Sequence, residues 1–176
     1  MDWYSSIFEL IDMRSFSNLW FWIVLAVIWS TASHWVLGVP WDMVMRARKA
    51  GPAHVEDDLE VIVRIYSGRI LYIARESGLL LTGFGCFVIT FLVLMGFVYK
   101  REFAQAVFLL GFPMSLVWLM SVATARDIQA RALTGEALIN RLSRHRLYTQ
   151  IIGMISIFIT AMWGMFQNMS ASAFGG

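Results

Sequence analysis

An all-α integral membrane bundle is what this sequence predicts, on three observations. First, 59% of its 176 residues are hydrophobic and only 15% are charged, against roughly 45–50% and about 25% in soluble domains. A soluble fold of this length has no interior large enough to hide so many apolar side chains, so part of its solvent is lipid. Second, residues 15–41, 77–99, 103–125 and 147–176 contain no Asp, Glu, Lys or Arg. Each stretch can hold the ~20 helical residues that cross ~30 Å of hydrocarbon. Third, the ten-residue alternation of a transmembrane barrel is absent, which leaves the helix as the structure that satisfies its own backbone in lipid.

The four charge-free stretches place spans at about 19–38, 79–98, 104–123 and 148–167, in a single membrane domain over residues 1–176. Orientation follows from the basic residues. Arg46, Arg48, Lys49, Arg64, Arg69 and Arg75 lie between spans one and two, and Arg126, Arg131, Arg141, Arg144 and Arg146 between spans three and four. Only Arg14, Lys100 and Arg101 lie on the other side. Basic residues favour the cytoplasm, so the two long segments are expected inside a bacterial inner membrane, with both termini outside. Trp20, Trp22, Tyr99 and Trp163 then form the outer aromatic belt, and Trp35, Trp41 and Tyr148 the inner one.

The flanking segments also read as helical. Asp2, Ser5, Ser6, Glu9 and Asp12 make one polar stripe, predicting an interfacial helix over residues 2–14, with packing inside an oligomer as the alternative. The opening MDWYSSIFELIDMRS leans acidic, with no A-x-A site close behind it, and does not read as a cleavable signal peptide. Gly38 and Pro40 interrupt the first span. Cytoplasmic helical segments are expected over about 41–77 and 126–147. The first consists of a short helix ending near Gly51-Pro52 and a second helix from Val55, with breaks admitted at Ser67-Gly68 and Ser77-Gly78. The second contains a helix at roughly 136–147 with Leu138, Ile139 and Leu142 on one face. Small residues four apart (Ala26 and Ser30; Gly111 and Ser115 beside Pro113; Ser156, Thr160 and Gly164) form ridges along which helices approach closely in lipid.

Chemical groups are scarce. The net charge of +2 gives no footprint for nucleic acid. The one cysteine, Cys86, permits no internal disulfide and sits in an apolar span, where a thiol is inert. The eleven methionines read as gap fillers between helices. No span core carries an ionisable group of the kind a charge-coupled carrier needs; Gln105 and Gln167 are the amides at span ends. His34, near the inner end of span one, and His145, just before span four, lie at similar depth and form the one pair that could supply axial nitrogens to haem b. The plainer reading of each is an interfacial hydrogen-bonding residue, and no cofactor or metal is expected. Arg141, Arg144 and Arg146 form a basic run beside the membrane, suited to lipid head groups. No nucleophile–base pair, glycine-rich phosphate loop or HExxH occurs, and neighbours such as Ser33 and His34 point apart on a helix.

The opening half, MDWYSSIFELIDMRSFSNLWFWIVLAVIWSTASHWVLGVPWDMV, resembles a family of small bacterial inner-membrane proteins labelled "component of SufBCD complex". The resemblance implies an accessory protein linked to iron–sulfur cluster assembly. The residues themselves offer one membrane-embedded thiol and no nucleotide-binding loop, so neither a cluster scaffold nor an ATPase is legible. The expected function is a non-enzymatic accessory or scaffold subunit. Its partners would be membrane lipids and another membrane subunit or a second copy, bound through residues 55–76 and 126–147 and the N-terminal helix. A haem-binding redox protein and a passive transporter of a neutral solute are the alternatives.

Overall fold

The computed structural model describes residues 15–17, 19–50 and 56–174. The helix expected over residues 2–14 lies outside them. Six α-helices occur among the described residues: α1 (Leu19–His34), α2 (Trp41–Ala50), α3 (Glu56–Glu76), α4 (Gly78–Val93), α5 (Glu102–Ala130) and α6 (Gly135–Phe174). A 3-10 turn, Ser15–Ser17, precedes α1, and a π-helical turn, Leu94–Val98, extends α4. Among the described residues, three helices are long and apolar enough to cross a membrane: Gly78–Val98, Glu102–Ala130 and Gly135–Ser170.

The first expected span is shorter than its charge-free stretch. α1 has 16 residues, about 24 Å of helix, and stops at His34 rather than near residue 38. There the chain folds into an antiparallel ribbon of β1 (Trp35–Val36) and β2 (Val39–Pro40), pairing Trp35 with Pro40 and Val36 with Val39. Both turn residues, Leu37 and Gly38, have positive φ, which is what a two-residue hairpin turn with the right twist requires. Gly38 is needed twice over, because a Cβ there would come within 2.8 Å of the Tyr66 ring of α3.

Of the two breaks admitted for the first cytoplasmic segment, the one at Ser67-Gly68 is absent and α3 runs unbroken. The helix expected at 136–147 is continuous with the last span, giving a 40-residue α6. At Ser77 the break is a bend only: Ser77 N–H still donates to Ile73 O (2.9 Å), and Leu81 N–H to Ser77 O (2.8 Å). The hydrogen-bond ladder thus crosses the joint between α3 and α4.

Two buried apolar clusters occur among the described residues. The larger sits at the charged end, where Val36, Leu37, Val39, Val44, Leu59, Val63, Ala125, Ile128, Leu138, Ile139 and Leu142 are buried together. It joins the ribbon, α2 and α3 to the end of α5 and the start of α6, so the two basic segments pack on one another. The smaller lies in the apolar shaft and consists of Leu25, Trp29 and Val117 with partly buried neighbours, Trp22 and Ile152 among them. α4 contributes no buried residue.

Antiparallel α5 and α6 form the axis of the shaft. Pro113 lies inside α5 and lacks the N–H that would bond the carbonyl of Leu109, four residues earlier. Ser156 of α6 donates its hydroxyl to that same carbonyl at 3.4 Å, the kind of side-chain compensation that makes proline tolerable in a membrane helix. The small ridge of α6 is used within the chain: a Cβ on Gly153 would come 2.7 Å from the Trp29 ring, and one on Gly164 would crowd Trp22 and Phe16. The ridge marked by Ala26 and Ser30 faces outward instead, as does Gly111.

Candidate functional site

The charged end concentrates the polar side chains, and it is assembled along the α5–α6 seam. Ser121, Thr124 and Asp127 recur at helical spacing on α5, facing Arg141 and His145 on α6. His145 is buried, with Nδ1 3.2 Å from Thr124 Oγ1 and Nε2 3.4 Å from Ser121 Oγ. The tautomer satisfied there carries its proton on Nε2, which donates to Ser121 Oγ, while Nδ1 accepts from Thr124 Oγ1. Ser121 donates its own proton to Val117 O at 2.8 Å, so the pair is not a nucleophile poised beside a base. Asp127 accepts from Arg141 Nε at 2.8 Å and from Arg131 Nε at 2.6 Å.

Arg146 faces another way. Its Nε donates to the Ser33 carbonyl at 3.1 Å, and its guanidinium lies 4.4 Å from the centroid of the Trp41 ring. It therefore satisfies a carbonyl at the end of α1 and stacks on the first residue of α2. Arg141 and Arg146 are thus committed within the protein, and of the three arginines proposed for head groups Arg144 alone is exposed. His34 is exposed, edge-on to Trp35 with ring centroids 6.2 Å apart. His145 has different neighbours from His34, and both of its ring nitrogens already face hydroxyls. Among the described residues, no three His, Cys, Asp or Glu side chains gather to hold a metal ion.

The apolar stripe of 136–147 is consumed internally, since Leu138, Ile139 and Leu142 belong to the large core. α3 turns one apolar face to the large core, where Ile62 and Ile70 also pack, and leaves a second one uncovered. Leu59, Val63 and Ser67 are buried, while Val61, Ile65, Tyr72 and Ile73 stay exposed beside Arg64, Arg69 and Arg75. No acidic residue occurs from Val61 to Arg75.

Neighbouring hollows along α5 share lining residues. A cavity of about 370 Å³ is lined by Glu60, Arg64 and Ser67 of α3 and by Gln129 and Thr134. Ser67 Oγ is buried there without a hydrogen-bond partner, and Glu60 Oε1 accepts from the first N–H of α6, at Gly135 (2.7 Å). Gln129 also lines a second hollow of about 580 Å³, with Tyr72, Arg75 and Arg126. Arg126 in turn heads a groove of about 380 Å³ between α4 and α5, floored by Gly85, Cys86, Ser115 and Trp118.

At the far end of the shaft Gln105 is the hub. Its Nε2 donates to Gly96 O at 2.7 Å, and its Oε1 accepts from Trp163 Nε1 at 2.9 Å and Gln167 Nε2 at 2.6 Å. The π-helical turn, α5 and α6 are stapled by one buried amide. Sequence reasoning marked Gln105 and Gln167 as span-end amides, and only the antiparallel register makes them partners. Glu60, Ser67, Arg126 and Gln129 carried no signal of their own in sequence, because what joins them is the packing of α3 on α5. Comparison of the chain with family models, curated proteins and solved structures finds no match.

Proposed function

We propose that this chain is a non-enzymatic accessory or scaffold subunit of a bacterial inner membrane. α1 would serve as a fourth crossing beside the three long apolar helices, with the charged end in the cytoplasm and both termini outside. The observation that carries this reading is the uncovered face of α3, with Val61, Ile65, Tyr72 and Ile73 beside Arg64, Arg69 and Arg75. An apolar face rimmed by one sign of charge marks a surface for a membrane or a partner, and this face stands just before the point where α4 begins. The polar groups in the seam, by contrast, are engaged in joining helices of the same chain. The outward ridge of Ala26 and Ser30 offers a second copy or another transmembrane subunit a close approach. The imbalance of eleven basic residues to three, and the packing of both basic segments in one core, support the orientation. The resemblance of the opening half to inner-membrane accessory proteins supports the compartment.

Crosslinking in intact membranes followed by purification in mild detergent tests the reading. A species heavier than the single 20.1 kDa chain is expected, and a lone monomer overturns it. Labelling of single cysteines placed in the tails and the two long segments tests the orientation, and tails protected from an impermeant reagent would reverse it.

A further inference from the structure

We infer that the hollow at Arg126 and Arg75, together with the groove between α4 and α5, is a binding site for one anionic phospholipid. The phosphate would sit on the two guanidinium groups and one acyl chain would lie along the groove.

Polarity grades in one direction along α5. Ser115, Trp118, Leu119 and Val122 line the groove; Arg126 lines both the groove and the hollow above it; Gln129 closes the top. That is the polarity order of a phospholipid: chain, phosphate, then a hydroxylated head group. The groove exists because small residues make it. Gly78 and Gly85 line it from α4, and a Cβ built on either would have nothing within 4 Å. From Gly78 to Ile89 the α4 wall spans about 17 Å of helix, close to the ~15 Å of one leaflet's hydrocarbon.

Charge selects the head group. The upper hollow is lined by Gly68, Leu71, Tyr72, Arg75, Arg126 and Gln129 and contains no carboxylate. An ethanolamine ammonium would find no acidic acceptor in it, whereas a phosphate with a glycerol head would meet two guanidinium groups, an amide and a phenol. Asp127, the residue next to Arg126, is engaged by Arg131 and Arg141. Arg75 has Glu76 as a loose, exposed neighbour at 3.6 Å, a contact that water screens and a phosphate can displace.

This inference rests on reading the chain as a membrane protein, and its test is independent of the assembly test. The full chain, delipidated in detergent, is titrated with dioleoyl phosphatidylglycerol, and one-to-one adducts are followed by native mass spectrometry. Dioleoyl phosphatidylethanolamine, water-soluble glycerophosphoglycerol and inorganic phosphate serve as the other arms. Phosphatidylglycerol is expected to bind best, and Arg126→Gln to weaken it about fivefold, the effect of one basic group near a lipid phosphate. Arg126→Lys should retain most of the binding. Gly85→Phe, whose side chain enters open groove, should weaken binding with both arginines in place, so the inference stays testable should Arg126→Gln fail to fold. Equal binding of the two phospholipids, indifference to Gly85→Phe, or displacement by phosphate or glycerophosphoglycerol as effective as by whole lipid would each overturn it. A monomer that retains phosphatidylglycerol would defeat the assembly proposal and leave this one standing.

Discussion

The charged end and the apolar shaft are two regions of one chain built on different physics. At the charged end, Val39, Val44, Leu59, Leu138 and Leu142 are sealed in a core of ordinary aliphatic packing, and α3 and α6 meet it with one face each. Water outside supplies the drive to bury those side chains. In the shaft the apolar cluster is small, α4 buries nothing, and large side chains such as Leu79, Leu80, Phe84 and Phe87 point outward. Lipid is as apolar as leucine, so nothing is gained by hiding them, and helices are held by close approach and hydrogen bonds. Gly153 on Trp29, Gln105 on three partners and Ser156 on Leu109 are those devices.

The contrast breaks most readily under truncation of leucines, where the largest effect is expected. Leu142→Ala should destabilise the fold by about 2–5 kcal/mol, the usual cost of emptying a sealed core site. Leu80→Ala, at a position 75% exposed on α4, should change the stability little. Reversible unfolding in graded mixtures of mild and denaturing detergent measures both. Equal losses at the two sites would mean that α4 is packed like the charged end.

Overpacking the shaft ranks second. Gly153→Val should cost about 1–3 kcal/mol, because its Cβ would be driven 2.7 Å from the Trp29 ring. Trp29→Leu in the same chain should recover part of the loss, a non-additivity expected only of direct neighbours. Thermal unfolding of the two single variants and the double variant decides it, and strict additivity would place the strain elsewhere.

Gln105→Leu keeps the bulk and removes the amide, leaving Gly96 O and Trp163 Nε1 without partners. A loss of about 1–2 kcal/mol is expected, at the upper end for hydrogen bonds between membrane helices. Once Gln105 is leucine, Gln167→Leu should add almost nothing, since Gln167 donates to that same amide oxygen. Full additivity, measured in the same detergent mixtures, would dissolve the hub into independent contacts.

These two regions were unequally legible in the sequence. The long helices follow from charge-free runs, and the packing of 41–76 against 126–147 agrees with their shared basic charge. The stop at His34 was half visible, in Gly38 and Pro40; the hairpin was not, because Leu37 is not a residue expected at positive φ. The fusion of 136–147 with the last span was hidden by the change of composition at Leu147, where a helix passes from a charged to an apolar surrounding without a break. What sequence could not show is register. The pairing of Gln105 with Gln167, of His145 with Thr124, and of Arg146 with the Ser33 carbonyl depends on how far one helix slides along another, and no local pattern encodes that distance.

The smallest effect is the sharpest test of the shaft. Ser156→Ala removes one long hydrogen bond, to the Leu109 carbonyl, and should cost about 0.6 kcal/mol, the average for hydrogen bonds between membrane helices. That carbonyl is free only because residue 113 is proline. In a Pro113→Ala chain the restored N–H bonds it within α5, and Ser156→Ala should then cost nothing measurable. The four-protein cycle of the two single variants, the double variant and the parent isolates this dependence. A Ser156→Ala loss that persists with alanine at 113 would show that the serine matters for packing rather than for the carbonyl. A loss that vanishes would show a proline in one helix answered by a hydroxyl in the next.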